Sequence, residues 1–249
     1  MSVTLLRQPR RGLARRLGVG IGLTTLLVTT AALADDTERL TLLMMGDSLS
    51  AAYGLEQPED GWVSLLNKRL DGEARVVNAS ISGETSAGGA TRLPELLRQH
   101  SPDIVLLELG ANDGLRGLAP SQMRQNLESM IKQSQASGAR VVMLGIDIPP
   151  NYGDAYRTAF TNVYDSLAKR YDLPLVPFLL EGVALDKTLM QDDGLHPTAK
   201  AQPMILDNVW PTLVPLIEQA TAGSGDNAHK QASDQAKAAH AKPAMADQG

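Results

Sequence analysis

Short apolar runs alternate with longer amphipathic stretches from Leu40 to about Ala220, and this alternation constrains the fold more than any other feature of the chain. Most of the runs are typical of strands that are buried on both faces of a parallel sheet. Strands that alternate with helices predict a doubly wound α/β sandwich. The predicted strands are Leu40–Met45, Arg75–Asn78, Ile104–Leu109, Arg140–Ile146 and Leu175–Pro177. The predicted helices are Gly61–Leu70, Thr85–Gln99, Ser121–Ser137, Tyr152–Tyr171 and Ala199–Ala220, with Ser121 as an N-cap and Gly138 just past a helix end.

Residues 1–34 have the layout of a secretory signal peptide. They contain five arginines and no acidic residue, then an apolar stretch from Leu17 to Val28 and the small-residue site Ala32-Leu33-Ala34. The apolar stretch is shorter than the roughly 20 residues that cross a bilayer, which disfavours the alternative of a membrane anchor. We therefore predict cleavage after Ala34 and an exported, periplasmic protein without a stable membrane anchor.

The remaining chain divides by composition into a folded part and a tail. Residues 35–220 carry the strand and helix pattern, and we predict that they form one domain of ordinary size. Residues 221–249 are mostly Ala, Gly, Ser, Asp, Gln and Lys. Such a segment has too few large apolar side chains to offset the entropy of ordering, so we predict a disordered tail.

Charge and cysteine content argue against several classes of partner and exclude cysteine-based modifications. The formal net charge is -5, and loss of the five leader arginines would make it -10. An acidic protein is a poor match for nucleic acid or an anionic lipid surface, which basic patches recognise. The chain has no cysteine, which excludes disulfides and a lipid-modified cysteine. We expect a monomer that acts on a small substrate.

Polar and glycine-containing segments follow the predicted strands. Because ligands of open α/β sheets bind at the carboxyl ends of the strands, these segments are where chemistry is expected. A further segment of this kind lies near the end of the predicted domain. The four segments are Gly46-Asp47-Ser48-Leu49-Ser50, Asn78-Ala79-Ser80-Ile81-Ser82-Gly83-Glu84, Gly110-Ala111-Asn112-Asp113-Gly114 and Asp192-Asp193-Gly194-Leu195-His196-Pro197.

A serine nucleophile needs a histidine base, and the chain offers four histidines. His229 and His240 lie in the tail and His100 lies at a predicted helix end, which leaves His196. Asp193 precedes His196 by three residues and can reach its Nδ1 if the loop turns at the intervening glycine. Asp192 is the rival carboxylate.

These segments resemble the four sequence blocks of the SGNH or GDSL hydrolases. The blocks correspond to Ser48 within Gly-Asp-Ser-Leu-Ser, to Gly83, to Asn112, and to the pair Asp193 and His196. The resemblance covers nearly all of residues 40–218. It implies a flavodoxin-like three-layer α/β/α sandwich of about five parallel strands. It also implies hydrolysis of carboxylic esters and thioesters, with acyl-CoA thioesterase, lysophospholipase and arylesterase activities.

The resemblance further implies a role for each matched residue. Ser48 is the nucleophile, His196 the base and Asp193 the group that orients the base. The oxyanion hole is formed by the N–H groups of Ser48 and Gly83 and by the side-chain amide of Asn112. Segments after the third and fourth predicted strands could line an acyl groove or merely pack as loops. These groove candidates are Leu115, Leu118, Ile148, Pro149 and Tyr152.

Other functions are disfavoured to different degrees. A single usable histidine argues against a metal-dependent phosphoesterase, and we expect no metal and no cofactor. A phosphate-receiving regulator would need an acidic cluster after the first strand, where only Asp47 stands. A binding module without catalysis would not need the Ser, Gly, Asn, Asp and His set. A carbohydrate O-deacetylase remains the main alternative, although few aromatic side chains are available to form sugar platforms.

Overall fold

The structure, a computed structural model, describes residues 39–240, and for residues 222–240 it describes the backbone alone. Five parallel strands form one sheet in the order β2-β1-β3-β4-β5. This is the flavodoxin-like strand order, and the predicted α/β fold is confirmed. The strands are β1 (Leu40–Met45), β2 (Ala74–Asn78), β3 (Ile104–Leu107), β4 (Arg140–Leu144) and β5 (Leu175–Val176).

Helices cover both faces of the sheet. Helices α1 and α6 pack together on one face, and α2, α4 and α5 pack together on the other. The short helix α3 follows β3 directly. The helices are α1 (Trp62–Arg69), α2 (Ser86–His100), α3 (Ala111–Leu115), α4 (Pro120–Ala136), α5 (Asp154–Tyr171) and α6 (Gln202–His240). Within the described residues, no helix is both long enough and apolar enough to span a membrane.

The burial of the strands explains their composition. Every residue of β1 and β3 is buried, because both strands lie inside the sheet and are covered by helices on both faces. The edge strand β2 is only partly buried, which permits polar residues such as Arg75 and Asn78.

The chain reverses its direction of travel across the sheet at β1. From β1 it passes through α1 to β2 on one side, and from β2 it returns through α2 to β3 on the other side. The carboxyl ends of β1 and β3 therefore diverge into loops on opposite faces and leave a crevice between them. The segments after β1, β2 and β3 are the ones that contain Ser48, Gly83 and Asn112.

Two sequence predictions about helices require correction. Ser121 is not the N-cap of α4, which begins at Pro120 with Ala119 as its N-cap. Proline suits the first helical position because a backbone N–H there would have no partner within the helix, so nothing is lost by its absence. The residues of α3 were not among the predicted helices. This helix contains Asn112, Asp113 and Gly114, residue types with low helix propensity, and it forms one short turn that buries Asp113.

Both chain termini extend beyond the described residues. The predicted signal peptide, residues 1–34, and residues 241–249 lie outside the described residues. Residues 221–240, which we expected to be disordered, continue α6 as helical backbone. Ala, Gln and Lys have high helix propensity, so the segment can form a helix without supplying apolar side chains to a core. The domain boundaries themselves remain predictions.

Candidate active site

Ser48 lies in the turn that follows β1. The Ala51 N–H donates to the Asp47 carbonyl oxygen (2.9 Å), and the Leu49 N–H donates to Asp47 Oδ1 (3.0 Å). Ser48 is partly exposed, whereas Asp47, Leu49 and Ser50 are buried. The turn thus presents the Ser48 hydroxyl to solvent while its neighbours anchor it in the core.

The structure brings Ser48 together with the predicted base. His196 Nε2 lies 2.9 Å from Ser48 Oγ, although the two residues are 148 positions apart. On the other side of the ring, His196 Nδ1 lies 2.6 Å from Asp193 Oδ2. The three side chains form the continuous hydrogen-bonded chain that activates a serine for nucleophilic attack.

The surroundings of Asp193 favour its charged form. Burial raises the pKa of this carboxyl, but hydrogen bonds from the His196 ring and from the N–H groups of Leu195 and His196 outweigh burial, and the pKa is about 2. An ionised Asp193 favours a proton on Nδ1, which leaves Nε2 free to accept the Ser48 proton. Asp192 is exposed, and the contact between His196 and Asp193 favours Asp193 over this rival.

Three donors correspond to the predicted oxyanion hole. No described residue accepts a hydrogen bond from the N–H of Ser48 or of Gly83, so both groups are available to a substrate. Gly83 has φ +79°, a backbone conformation that residues with a Cβ rarely adopt. Its carbonyl oxygen accepts a 2.9 Å hydrogen bond from Arg116 Nη2, which braces the peptide that follows. The third predicted donor is the side-chain amide of Asn112.

A buried acid orients the Asn112 amide. Asn112 Nδ2 donates to Asp47 Oδ2 (3.0 Å), which identifies the NH₂ end of the amide and leaves its second hydrogen unused by this contact. Burial raises the pKa of Asp47 to about 6, although the hydrogen bonds from Leu49 and Asn112 act in the opposite direction. Asp47 therefore serves as a fixed acceptor for the amide that is the predicted oxyanion donor.

Glu108 accepts hydrogen bonds from the same turn. It was not among the residues predicted from the sequence. Its Oε2 accepts hydrogen bonds from the Asp47 N–H (3.1 Å) and from Ser50 Oγ (2.8 Å). The side chain has no solvent exposure, and burial together with the charge of Asp47 raises the pKa of Glu108 well above its ordinary value. The signal for this residue was an acidic side chain inside the otherwise apolar run Ile104–Leu109.

Asp113 joins the segments that carry two of the predicted oxyanion donors. Its carboxylate accepts hydrogen bonds from the Ser86 N–H (2.8 Å) and from Ser86 Oγ (2.6 Å), at the start of α2. These contacts give Asp113 a structural role as an acceptor for the first residue of α2. Because Gly83 lies shortly before α2 and Asn112 lies beside Asp113, this link restrains the two donors relative to each other.

The groove candidates fall into two groups. Ile148 is only 3% exposed and belongs to the apolar core, so it packs as an ordinary loop residue and does not line an open groove. Leu118 is 43% exposed, and Leu115, Pro149 and Tyr152 are partly buried. Tyr152 Oη donates to the Leu115 carbonyl oxygen (2.7 Å), which joins the segments that follow β3 and β4. These four residues remain candidates for contact with an acyl chain.

Asn112→Ala should separate a catalytic donor from a residue that merely braces a loop. If the amide stabilises the oxyanion, the substitution should lower kcat by roughly 10² to 10³ and change KM little, since the interaction is made only in the transition state. Steady-state kinetics and thermal melting measured on the same preparation test this. A lowered melting temperature, a raised KM and a near-normal kcat would contradict the assignment.

Among the described residues, no group of three or more His, Asp or Glu side chains is arranged to hold a metal ion.

Comparison with known proteins identifies close relatives. Residues 44–202 match the GDSL-like lipase/acylhydrolase family. The chain is 57% identical to "Esterase TesA" of Pseudomonas aeruginosa over 71% of the chain and 89% of that protein. It is 47% identical to "Thioesterase 1/protease 1/lysophospholipase L1" of Escherichia coli strain K12 over 77% of the chain and 89% of that protein.

A solved structure agrees with these matches. The psychrotrophic esterase EstA from Pseudoalteromonas sp., inhibited by monoethylphosphonate, superposes with a TM-score of 0.68. The two sequences are 45% identical, and the match covers 72% of this chain and 98% of that one.

Proposed function

The chain belongs to the GDSL-like lipase/acylhydrolase family, and from that premise we propose that Ser48, His196 and Asp193 are the catalytic triad with which it hydrolyses carboxylic esters and thioesters. The observation that carries the assignment is the hydrogen-bonded chain from Ser48 Oγ through the His196 ring to Asp193, with distances of 2.9 and 2.6 Å. These three residues supply the nucleophile, the base and the group that orients the base, and the remaining oxyanion donors come from Gly83 and Asn112.

The geometry supports a two-step acyl transfer. Ser48 Oγ attacks the acyl carbonyl carbon while His196 Nε2 accepts the hydroxyl proton, and Asp193 stabilises the resulting imidazolium. The negative charge on the carbonyl oxygen is stabilised by the N–H groups of Ser48 and Gly83 and by the Asn112 amide. His196 then protonates the leaving alkoxide or thiolate, which leaves an acyl-enzyme on Ser48. Water, deprotonated by His196, attacks this ester, and His196 returns the proton to Ser48 Oγ as the carboxylic acid is released.

The open surroundings of the triad are compatible with acyl chains and aryl esters. Tyr53, which is 51% exposed, contacts the His196 ring, and Leu195 beside that histidine is 37% exposed. We propose that Leu118 and Tyr152, together with Leu115 and Pro149, contact the acyl part of the substrate.

Titration with an organophosphonate and a substrate profile test the proposed function. The phosphonate should label one serine per chain, and peptide mass analysis should place the label on Ser48. The profile should include p-nitrophenyl esters, acyl-CoAs, a lysophospholipid and acetylated sugars, and activity is expected on the first three. Activity confined to acetylated sugars would instead support the O-deacetylase, and absence of labelling would contradict a serine hydrolase.

We further propose that the enzyme is exported and acts as a monomer in the periplasm. Support comes from the arginine-rich and apolar leader and from a site whose proposed residues all lie on one chain. N-terminal sequencing of the protein in a periplasmic extract should begin at Asp35, and light scattering should give the monomer mass. Retention of Met1, or a dimer mass, would contradict these two expectations respectively.

A further inference from the structure

The proposed nucleophile and base belong to two separate loops. We call residues 46–57 the nucleophile loop and residues 187–198 the histidine loop. Apart from the contact between Ser48 and His196, one hydrogen bond joins the two loops in the described part of the chain, and Gln191 donates it. This side chain therefore helps to fix the relative position of the two loops.

The Gln191 side chain makes two hydrogen bonds through one atom. Its Nε2 donates to the Tyr53 carbonyl oxygen (2.9 Å) and to the Pro197 carbonyl oxygen (3.0 Å). Both partners are acceptors, so only the NH₂ end of the amide can satisfy them, and its two hydrogens match the two bonds. The amide thus clamps the nucleophile loop to the residue that follows His196.

The Gln191 backbone closes the turn that contains the triad acid and base. Its N–H donates to the His196 carbonyl oxygen (2.7 Å), and its carbonyl oxygen accepts from the Gly194 N–H (2.9 Å). Beside it, Met190 and Pro197 form an antiparallel bridge. Gln191 therefore sits at the base of the turn that carries His196 and faces the nucleophile loop with its side chain.

Tyr53, whose carbonyl oxygen accepts from Gln191, also carries the aromatic ring next to the base. The ring centroids of Tyr53 and His196 are 4.5 Å apart, with the planes tilted by 44°. The residue after Tyr53 is Gly54, with φ +73°, and a Cβ there would lie 2.2 Å from Gln191 Oε1. Only glycine allows the Gln191 side chain to lie this close to the loop backbone. Glycine at position 54 therefore leaves room for the Gln191 side chain.

We propose that Gln191 is a positioning residue for catalysis, which holds the imidazole of His196 at hydrogen-bonding distance from Ser48 Oγ by clamping the two loops together. The proposal rests on the proposed triad. It assigns Gln191 no contact with the substrate. Loss of the clamp should let the base drift from the nucleophile, and a displacement of about 1 Å can cost on the order of 10² in rate.

Gln191→Met tests the clamp, since methionine has a similar length and cannot donate to the two carbonyl oxygens. We expect kcat to fall about 10-fold to 100-fold and KM to stay within about twofold, because orientation of the base matters for the chemical step. Gln191→Glu is the second variant; it places a carboxylate against the same carbonyl oxygens and should show the same pattern. Gln133→Met is the matched control: Gln133 is partly buried on α4, its amide donates to Ser129 of the same helix, and the variant should keep normal kinetics.

A second background separates positioning from general loosening of the fold. If Gln191 acts through His196, Gln191→Met should lower the residual activity of His196→Ala by less than about twofold. An equal loss in both backgrounds, or a normal kcat for Gln191→Met in the otherwise unchanged enzyme, would overturn the proposal. The result is distinct from failure of the triad itself, which would appear as activity retained by Ser48→Ala or His196→Ala alone.

Discussion

Ser48→Ala should lower kcat by about 10⁶ while the protein stays folded, as removal of the nucleophile does in serine hydrolases that act through an acyl-enzyme. The change removes one oxygen atom from a partly exposed side chain, whose hydroxyl is hydrogen-bonded to the His196 ring. No packing is lost in the core, because the neighbours Asp47 and Leu49 hold the turn independently. Steady-state kinetics with a p-nitrophenyl ester, together with circular dichroism, measure both expectations.

Ser121→Ala is the matched control for this substitution. Ser121 is exposed at the start of α4, outside the proposed site, so its loss should leave kcat unchanged. The phosphonate should label Ser121→Ala fully and Ser48→Ala not at all. Retention of more than about a tenth of wild-type activity by a folded Ser48→Ala protein would remove Ser48 from the role of nucleophile, since that role predicts a loss of several orders of magnitude.

Asp193→Asn should lower kcat on the order of 10⁴. Asp193 Oδ1 accepts two backbone hydrogen bonds, from Leu195 (2.9 Å) and His196 (3.0 Å), and Oδ2 faces the ring. An asparagine that keeps its oxygen on the backbone donors must turn its NH₂ toward Nδ1. That arrangement favours the tautomer with the proton on Nε2, which cannot accept the proton of Ser48.

Asp192→Asn is the neighbouring control for the acid. Asp192 is exposed, and the same change of charge there should alter kcat only slightly. Comparison of the two variants therefore separates orientation of the histidine from a general effect of negative charge near the site. If Asp192→Asn were the more damaged of the two, the roles of the two carboxylates would have to be exchanged.

The strands were predictable because their surroundings leave few choices. A strand covered by helices on both faces must be apolar throughout, and β1 and β3 consist of such runs. Helix α3 was not predictable in the same way. Its residues have low helix propensity, and tertiary contacts such as the bond between Asp113 and Ser86 stabilise it.

The candidate site was predictable to a different extent at each residue. Ser48 and His196 could be chosen from the sequence because a hydroxyl nucleophile needs a histidine and three of the four histidines had ordinary places. Glu108 and Gln191 could not be assigned roles. Their partners, Asp47 and Tyr53, are 61 and 138 positions away along the chain, and no local pattern encodes such a contact.

The sequence by itself determined the α/β class, the chemical groups available for catalysis and the segments that carry them, because hydrophobic periodicity and side-chain chemistry are local properties of the chain. Only the tertiary structure decided that Asp193, and not Asp192, meets the His196 ring, that Asp47 turns the Asn112 amide, and that Ile148 belongs to the core. Each of these depends on distances of a few ångströms between segments that are far apart in the chain or on the course of one turn. Those distances are set by the packing of the sheet and its loops.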